Sequence, residues 1–270
     1  MHKDNNTYDS WREERDLVLE YNQISLDDVN IVNILGVGVD NCTRQQAVVK
    51  VMRLIDKGGV HHIIPLNPYK IQKTKSNLDL GIIYKKASMH LACGAGISWA
   101  AKMTGSNLKE RIPLLSFIMD LIRIAEKKEY TIFLVGAKPE IVEKAFYNIK
   151  KSFPAIRIVG RHGGYFNPVR EKSVIEAMRK SNADIIFVGL GFPKEDTWIY
   201  KIKREFNRGV FIGVGGSIDV ISGKIQKAPP FFMNRGLEWF YRIITRPWRI
   251  GRLFSVLSFF TIAIFKKVFR

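Results

Sequence analysis

The chain is poor in cysteine: Cys42 and Cys93 are the only two in 270 residues. They form no Cys-x-x-Cys pair and have no histidine at ligand spacing. That excludes a disulfide-stapled scaffold and a structural zinc site, and fits reduced thiols in a cytosolic compartment. Acidic residues are also scarce, with 25 Asp and Glu against 43 Lys and Arg, a formal net charge of +18. Such an excess favours anionic partners: nucleic acid, acidic lipid or phosphorylated substrates. No Gly-x-Gly-x-x-Gly is followed by an acid about 20 residues on, which removes the nicotinamide-dinucleotide oxidoreductase reading. The longest apolar run of the C-terminal part, Leu253–Phe265, has 13 residues, whereas a bilayer span needs about 20. The first 16 residues are polar and charged, unlike a secretory signal. Repeats at solenoid periods are absent.

What is present is a β-then-α alternation. Ile31–Asp40 reads as one strand entering the domain, and Thr43–Lys57 as a helix with Thr43 as N-cap. Strands are expected over 61–67, 89–92, 130–135, 156–160, 185–188 and 210–214. The helices between them fall at 69–74, 78–86, 97–103, 115–127, 139–151, 169–181 and 196–205. This order predicts an α/β fold: a Rossmann-like parallel sheet flanked by helices on both faces. The divisions are a polar segment 1–30, an α/β domain 31–232 and a C-terminal appendage 233–270.

The most informative stretch is Gly189-Leu190-Gly191-Phe192-Pro193-Lys194-Glu195-Asp196, followed by Gly213-Val214-Gly215-Gly216-Ser217-Ile218-Asp219. Each comes directly after a short β-branched run. Gly-rich loops at the carboxyl ends of parallel strands are where open α/β sheets bind phosphate-bearing ligands, because glycine lets backbone N–H groups approach the anion. Gly189, Gly191, Gly215 and Gly216 are therefore the expected phosphate contacts. Lys194 suits charge developing on a leaving diphosphate. Glu195 and Asp196 have helix-capping as the alternative, since acids favour helix N-termini. Asn67, at a strand end, suits hydrogen bonding to a sugar or acceptor. His62, His90 and His162 read as structural, with His162 also a site candidate because it precedes Gly163-Gly164.

Between 235 and 270 the chain carries eight basic residues and one acid, interleaved with Trp239, Phe240, Tyr241 and Trp248. Basic and aromatic residues beside a short apolar helix point to an interfacial anchor on an anionic leaflet, with Arg235, Arg242, Arg249 and Arg252 placed for lipid phosphates. The bland alternative is a hydrophobic helix packed on the domain or on a partner subunit. Nucleic acid is not the expected partner, because the aromatics sit among aliphatic neighbours rather than as isolated stacking platforms.

Together these residues resemble the WecG/TagA/CpsF glycosyltransferase family. The matching landmarks are Asn67, Gly94-x-Gly96, Glu110-Arg111, Phe133–Gly136, Phe153-Pro154, Ile158–Gly160 and Gly163–Phe166, all in family order. They continue through Gly189-x-Gly191-x-Pro193-Lys194, Gly213–Gly216, Asp219, Gly223 and Ala228-Pro229 to Gly236–Arg242, Pro247, Arg249 and Arg252. The resemblance implies an inverting, metal-independent transfer from a UDP-sugar donor to a polyprenyl-diphosphate-linked saccharide at the cytoplasmic membrane face, in cell-surface polysaccharide or teichoic-acid synthesis. It implies no cofactor, adds Gly136 and Asp219 to the donor set, and associates the C-terminal part with peripheral recruitment to the membrane. The chain's lack of any Asp-x-Asp pair agrees with a metal-free site.

Four departures stand out. Cys93 occupies the place of the family's Asp, the proposed general base, and a thiol serves as a base only when its pKa is lowered. Pro65 replaces a Thr, and Arg111–Ser116 departs from Arg-x-x-Gly-x-Asp. Pro-Lys-Gln-Glu becomes Pro193-Lys194-Glu195-Asp196, which puts Glu195 where a polar amide would contact sugar or nucleotide. Cys93, Asn67 and Glu195 are the catalytic candidates. These departures also sustain an alternative: a catalytically weakened member acting as a binding subunit of a polysaccharide assembly complex. Homo- or hetero-oligomers stay open.

Overall fold

The computed structural model describes residues 17–226, 228–229, 231–232, 235, 240–241, 244–245 and 250–268, the side chains of Leu17 and Arg252 apart. A short helix α1 (Leu17–Asn22) leads to β1 (Asn30–Ile34) and β2 (Val37–Asn41), then α2 (Arg44–Lys57). β3 (Val60–Leu66), α3 (Pro68–Ser76), α4 (Leu78–Lys85), β4 (Met89–Ala92), α5 (Ala95–Met103) and α6 (Leu114–Lys127) follow. The second half runs β5 (Thr131–Gly136), α7 (Pro139–Ser152), β6 (Arg157–His162), α8 (Pro168–Ser181), β7 (Ile185–Gly189), α9 (Lys194–Ile202), β8 (Gly209–Gly213), α10 (Ser217–Ile221) and, after the tail, α11 (Gly251–Val268).

Six strands form one parallel sheet in the order β4-β3-β8-β7-β5-β6. The inner strands are apolar almost throughout because helices cover both faces. Alternation sorts the side chains. Ile63, Leu91, Ile132, Leu134, Phe187 and Ile212 meet α2, α6, α7 and α10 on one face. On the other, Ile64, Leu66 and Ala92 meet α3, α4, α5 and α11, while Val135, Ile186, Val188 and Phe211 meet α8 and α9. The expected N-cap holds: the Thr43 hydroxyl accepts from the Gln46 N–H and the Gln46 side chain accepts from the Thr43 N–H.

The expected single strand over 31–40 is instead an antiparallel hairpin of two strands. Leu35 and Gly36 turn the chain with φ of 53° and 96°, the pattern of a tight type I′ connection, and the Asn33 side chain accepts from the Gly36 N–H. Asp40 ties this hairpin to the sheet: its carboxylate accepts from the His90 N–H at 2.7 Å and pairs with Lys50.

α11 covers the apolar run expected to lie in an appendage, and it packs into the domain. Phe259 and Ala263 are fully buried in the cluster of α3 and α5, Phe260 packs edge-on to Trp99 at 4.8 Å, and Gln72 donates to Ser258. Gly96 permits this contact, since a methyl there would lie 2.6 Å from the Pro68 ring and 2.9 Å from Phe260. Among the described residues, no helix is long and apolar enough to cross a membrane.

Candidate functional site

All the strands of the main sheet end at one edge, and the expected site residues collect there. β3 ends at Leu66, so Asn67 stands at the edge as N-cap of α3, its side-chain oxygen accepting from the Lys70 N–H at 2.9 Å. β4 ends at Ala92, and the Cys93 N–H donates to the Leu66 carbonyl at 3.1 Å. A Cβ on Gly94 would come within 3.2 Å of the Asn67 Cα, so the two loops touch. Cys93 is half-buried, packed beside the apolar cluster of the α2 and α6 face.

The glycine group lies further along the same edge. Gly136 pairs with Gly189 across β5 and β7, and the Ala137 N–H donates to the Gly189 carbonyl at 3.0 Å. A methyl on Gly136 would meet that carbonyl oxygen at 2.4 Å, and one on Gly189 would lie 2.9 Å from the Gly215 oxygen. Gly164 closes against the same point: a methyl there would lie 2.9 Å from the Gly136 Cα. Four loops thus pack backbone against backbone, which only glycine allows. Gly216 is exposed, with the Asp219 carboxylate against its backbone. Lys194 is exposed at the first residue of α9, its ammonium 5.4 Å from the Phe166 ring centre.

Glu195 does not face this edge with a free oxygen. It is 3% exposed. One oxygen, Oε2, accepts from the Gly191 N–H at 3.1 Å and the Gly215 N–H at 2.9 Å; the other faces the Lys70 ammonium at 3.4 Å. Two of the four amides expected to meet a phosphate, those of Gly191 and Gly215, are therefore engaged by a carboxylate of the same chain. The reason is geometric: the first turn of α9 is directed into the sheet and carries Glu195 and Asp196 inward together. Asp196 is fully buried, accepting from Lys70 at 3.0 Å and from the Tyr84 hydroxyl at 2.9 Å.

Lys70 and Tyr84 carry no sequence signal for this cluster. A lysine in the first turn of a helix ordinarily reads as a solvated cation, yet Lys70 is only 4% exposed. Burial opposes its charge, but Asp196 and Glu195 outweigh that and raise its pKa, so the ammonium persists. Burial raises the Glu195 pKa, partly offset by Lys70. Burial and the adjoining Asp196 raise that of Tyr84.

Beside this cluster stands His62, 1% exposed, with neither ring nitrogen hydrogen-bonded among the described residues. Burial drives its pKa down to about 3; Asp196 opposes the shift, and Lys203, Lys70 and His90 add to it. A depressed folded pKa means stability is intact above 6.5 and is lost as pH falls toward about 3. Each pH unit in that window corresponds to about 1.4 kcal/mol. His62→Leu is expected to match the wild type at pH 7 and to exceed it by about 2 kcal/mol at pH 5 in urea unfolding. Parallel losses in both proteins would refute a buried neutral imidazole.

Of the expected tail residues, Arg235 is exposed and stacks its guanidinium on Phe231 at 4.3 Å. Arg242 and Arg249 lie outside the described residues, as does the side chain of Arg252.

Residues 32–270 match the model of the Glycosyl transferase WecG/TagA/CpsF family. The chain is similar to an N-acetylglucosaminyldiphosphoundecaprenol N-acetyl-beta-D-mannosaminyltransferase of Staphylococcus aureus (strain NCTC 8325 / PS 47), 32% identical over 84% of this chain and 90% of the relative. It is also similar to the protein of the same description from Bacillus subtilis (strain 168), 33% identical over 72% of this chain and 75% of the relative.

Proposed function

The chain belongs to the WecG/TagA/CpsF glycosyltransferase family, and from that premise we propose that it moves a sugar from a UDP-sugar to a polyprenyl-diphosphate-linked saccharide, with inversion and without a metal. The observation that carries the reading is the convergence at one sheet edge of a backbone-only glycine cluster, Gly136, Gly189 and Gly215, with the neighbouring Asn67 and Cys93 loops. The printed descriptions of the relatives supply the acceptor class, a diphosphoundecaprenol-linked N-acetylglucosamine, and an N-acetylmannosaminyl group to transfer.

In this proposal the acceptor hydroxyl oxygen attacks the anomeric carbon from the side of Asn67 and Cys93. The bond from that carbon to the β-phosphate oxygen breaks, the hydroxyl proton passes to the Cys93 sulfur, which accepts it only as thiolate, and UDP departs with the electron pair. Exposed Lys194 and Gly216, with the half-buried Asp219, face the leaving diphosphate and the nucleotide. Because Glu195 holds Gly191 and Gly215, those two glycines shape the donor site rather than touch the phosphate directly.

The lipid-linked acceptor brings the enzyme to the cytoplasmic face of the membrane. Exposed apolar side chains crowd the C-terminal part: Phe231, Phe240, Ile244, Ile250, Phe254 and Phe265. With the basic excess of the tail, they suit an interfacial contact with anionic lipid. The second reading, a binding subunit with weakened catalysis, draws on Cys93 in place of a carboxylate and on the fully engaged Glu195.

One assay separates the two. UDP release is followed with UDP-N-acetylmannosamine and a short-chain polyprenyl-diphosphate N-acetylglucosamine, in EDTA. Turnover that needs both substrates is expected, and Cys93→Ala is expected to slow it about 10²–10⁴-fold. UDP binding without release would favour the subunit. Release that depends on added divalent metal would overturn the metal-free mechanism, and an equally fast Cys93→Ala would remove the thiol as base.

A further inference from the structure

We propose that Lys70 is a positioning residue of the transfer site: through the Glu195 carboxylate it clamps the loop after β7 to the loop after β8 and ties both to the start of α3. The proposal rests on the reading above for its activity consequences, but the clamp itself stands on geometry. Glu195 Oε2 accepts from two amides in two different loops, Gly191 and Gly215. Its Oε1 faces the Lys70 ammonium, which also reaches both oxygens of Asp196, at 3.2 and 3.0 Å. The same ammonium lies 5.4 Å from the ring centre of Phe192, inside the β7 loop. All three charged side chains are buried, at 4%, 3% and 0% exposure.

The backbone is fitted to the cluster. A methyl on Gly213 would lie 3.2 Å from an Asp196 oxygen and 3.3 Å from the Glu195 carboxyl carbon, so the end of β8 is pressed against both carboxylates. The Lys70 N–H is capped by Asn67, which joins the acceptor-side loop to the donor-side loops through a single residue. A carboxylate accepts two N–H bonds well only while charged, and a buried carboxylate keeps its charge only when a cation is beside it. Lys70 supplies that cation, and burial has been kept compatible with it by two acids rather than one.

The test is a charge-balanced cycle. Lys70→Met leaves two buried carboxylates and no cation. In Lys70→Met/Glu195→Gln the neutral amide oxygen still accepts from Gly191 and Gly215, and the cluster returns to the wild-type net charge of one negative unit. Two readouts are taken on each protein: the Kd for UDP by calorimetry, and hydrogen exchange of the 189–193 and 213–217 segments. Lys70→Met is expected to bind UDP at least tenfold more weakly, to exchange faster in those two segments before the rest of the sheet, and to raise the donor KM more than it lowers kcat. The double variant is expected to bind UDP within threefold of Glu195→Gln alone.

Unchanged binding and exchange in Lys70→Met overturn the clamp, and so does a double variant no better than Lys70→Met. If Lys70→Met does not fold, the comparison of Glu195→Gln with the double variant decides. A double variant that also fails to fold, or binds tenfold more weakly than Glu195→Gln, overturns it. If wild type binds no UDP, the functional reading falls while the exchange readout still judges the clamp.

Discussion

Gly136→Ala is expected to cost about 2–5 kcal/mol of stability and to abolish UDP binding. Its φ is 128°, a region essentially closed to side chains. The added methyl would also sit 2.4 Å from the Gly189 oxygen and 2.7 Å from the Gly189 Cα, backbone atoms that cannot rotate away. Relief requires β5 and β7 to separate where their loops meet, and the Gly164 and Gly215 segments packed there must follow. Gly191→Ala is the matched control. Its φ of 78° is also positive, but nothing lies within 4 Å of the added methyl, so only conformational strain of about 1–2 kcal/mol is expected. Urea unfolding and a UDP titration on both proteins check this. Equal effects at the two glycines would show that close packing of the four loops is not what the site depends on.

Phe259→Ala is expected to destabilise the protein by about 3–5 kcal/mol. Phe259 is fully buried between α11, α3 and α5, so its loss opens a cavity in the core rather than releasing a tail. The opposite face of the same helix is expected to behave differently. Phe254, Leu257 and Phe265 are 74%, 52% and 62% exposed. Replacing all three with serine should change stability little and weaken sedimentation with phosphatidylglycerol vesicles by more than about tenfold. Deleting the helix would confound the two effects, because it uncovers Ile71, Ala100 and Ala101. Vesicle binding that survives the triple substitution would return that face to an ordinary surface role.

The sheet was legible because buried parallel strands leave an unmistakable trace: Ile185–Val188 and Val210–Ile212 are unbroken apolar runs ended by glycine. The hairpin of β1 and β2 was not, because its turn puts Leu35, a residue with a Cβ, at positive φ where Asn or Asp would ordinarily mark the bend. That Asn67, Gly189 and Gly215 lie together at one edge of the sheet followed from the rule that parallel strands end on the same side. What each loop amide does was hidden. Whether Gly191 N–H meets a ligand or Glu195 depends on the direction in which the first turn of α9 points, and that is decided by Lys70, 125 residues away in sequence. A charged residue reads as solvated until its partners are known, and here the partners come from distant elements. The two faces of α11 show the same limit: an apolar run declares that something covers it, without declaring what.

The strand order also bears on how the chain comes to be folded. β8 is the last of the six to be synthesised, yet it sits between β3 and β7 and, among the described residues, is the only strand joining them. Until residue 213 has emerged from the ribosome, the nascent protein holds two incomplete sheets: β3 with β4, and β7 with β5 and β6. Each exposes a strand edge with unpaired amides and carbonyls, the template on which chains associate wrongly. The final insertion pairs Val60–Ile63 with partners almost 150 residues later, a closure whose entropy has to be met before its contacts reward it. The loop after β8 completes the glycine cluster with Gly136 and Gly189, so that cluster and the sheet are completed in the same late step, and a chain released before then can have neither.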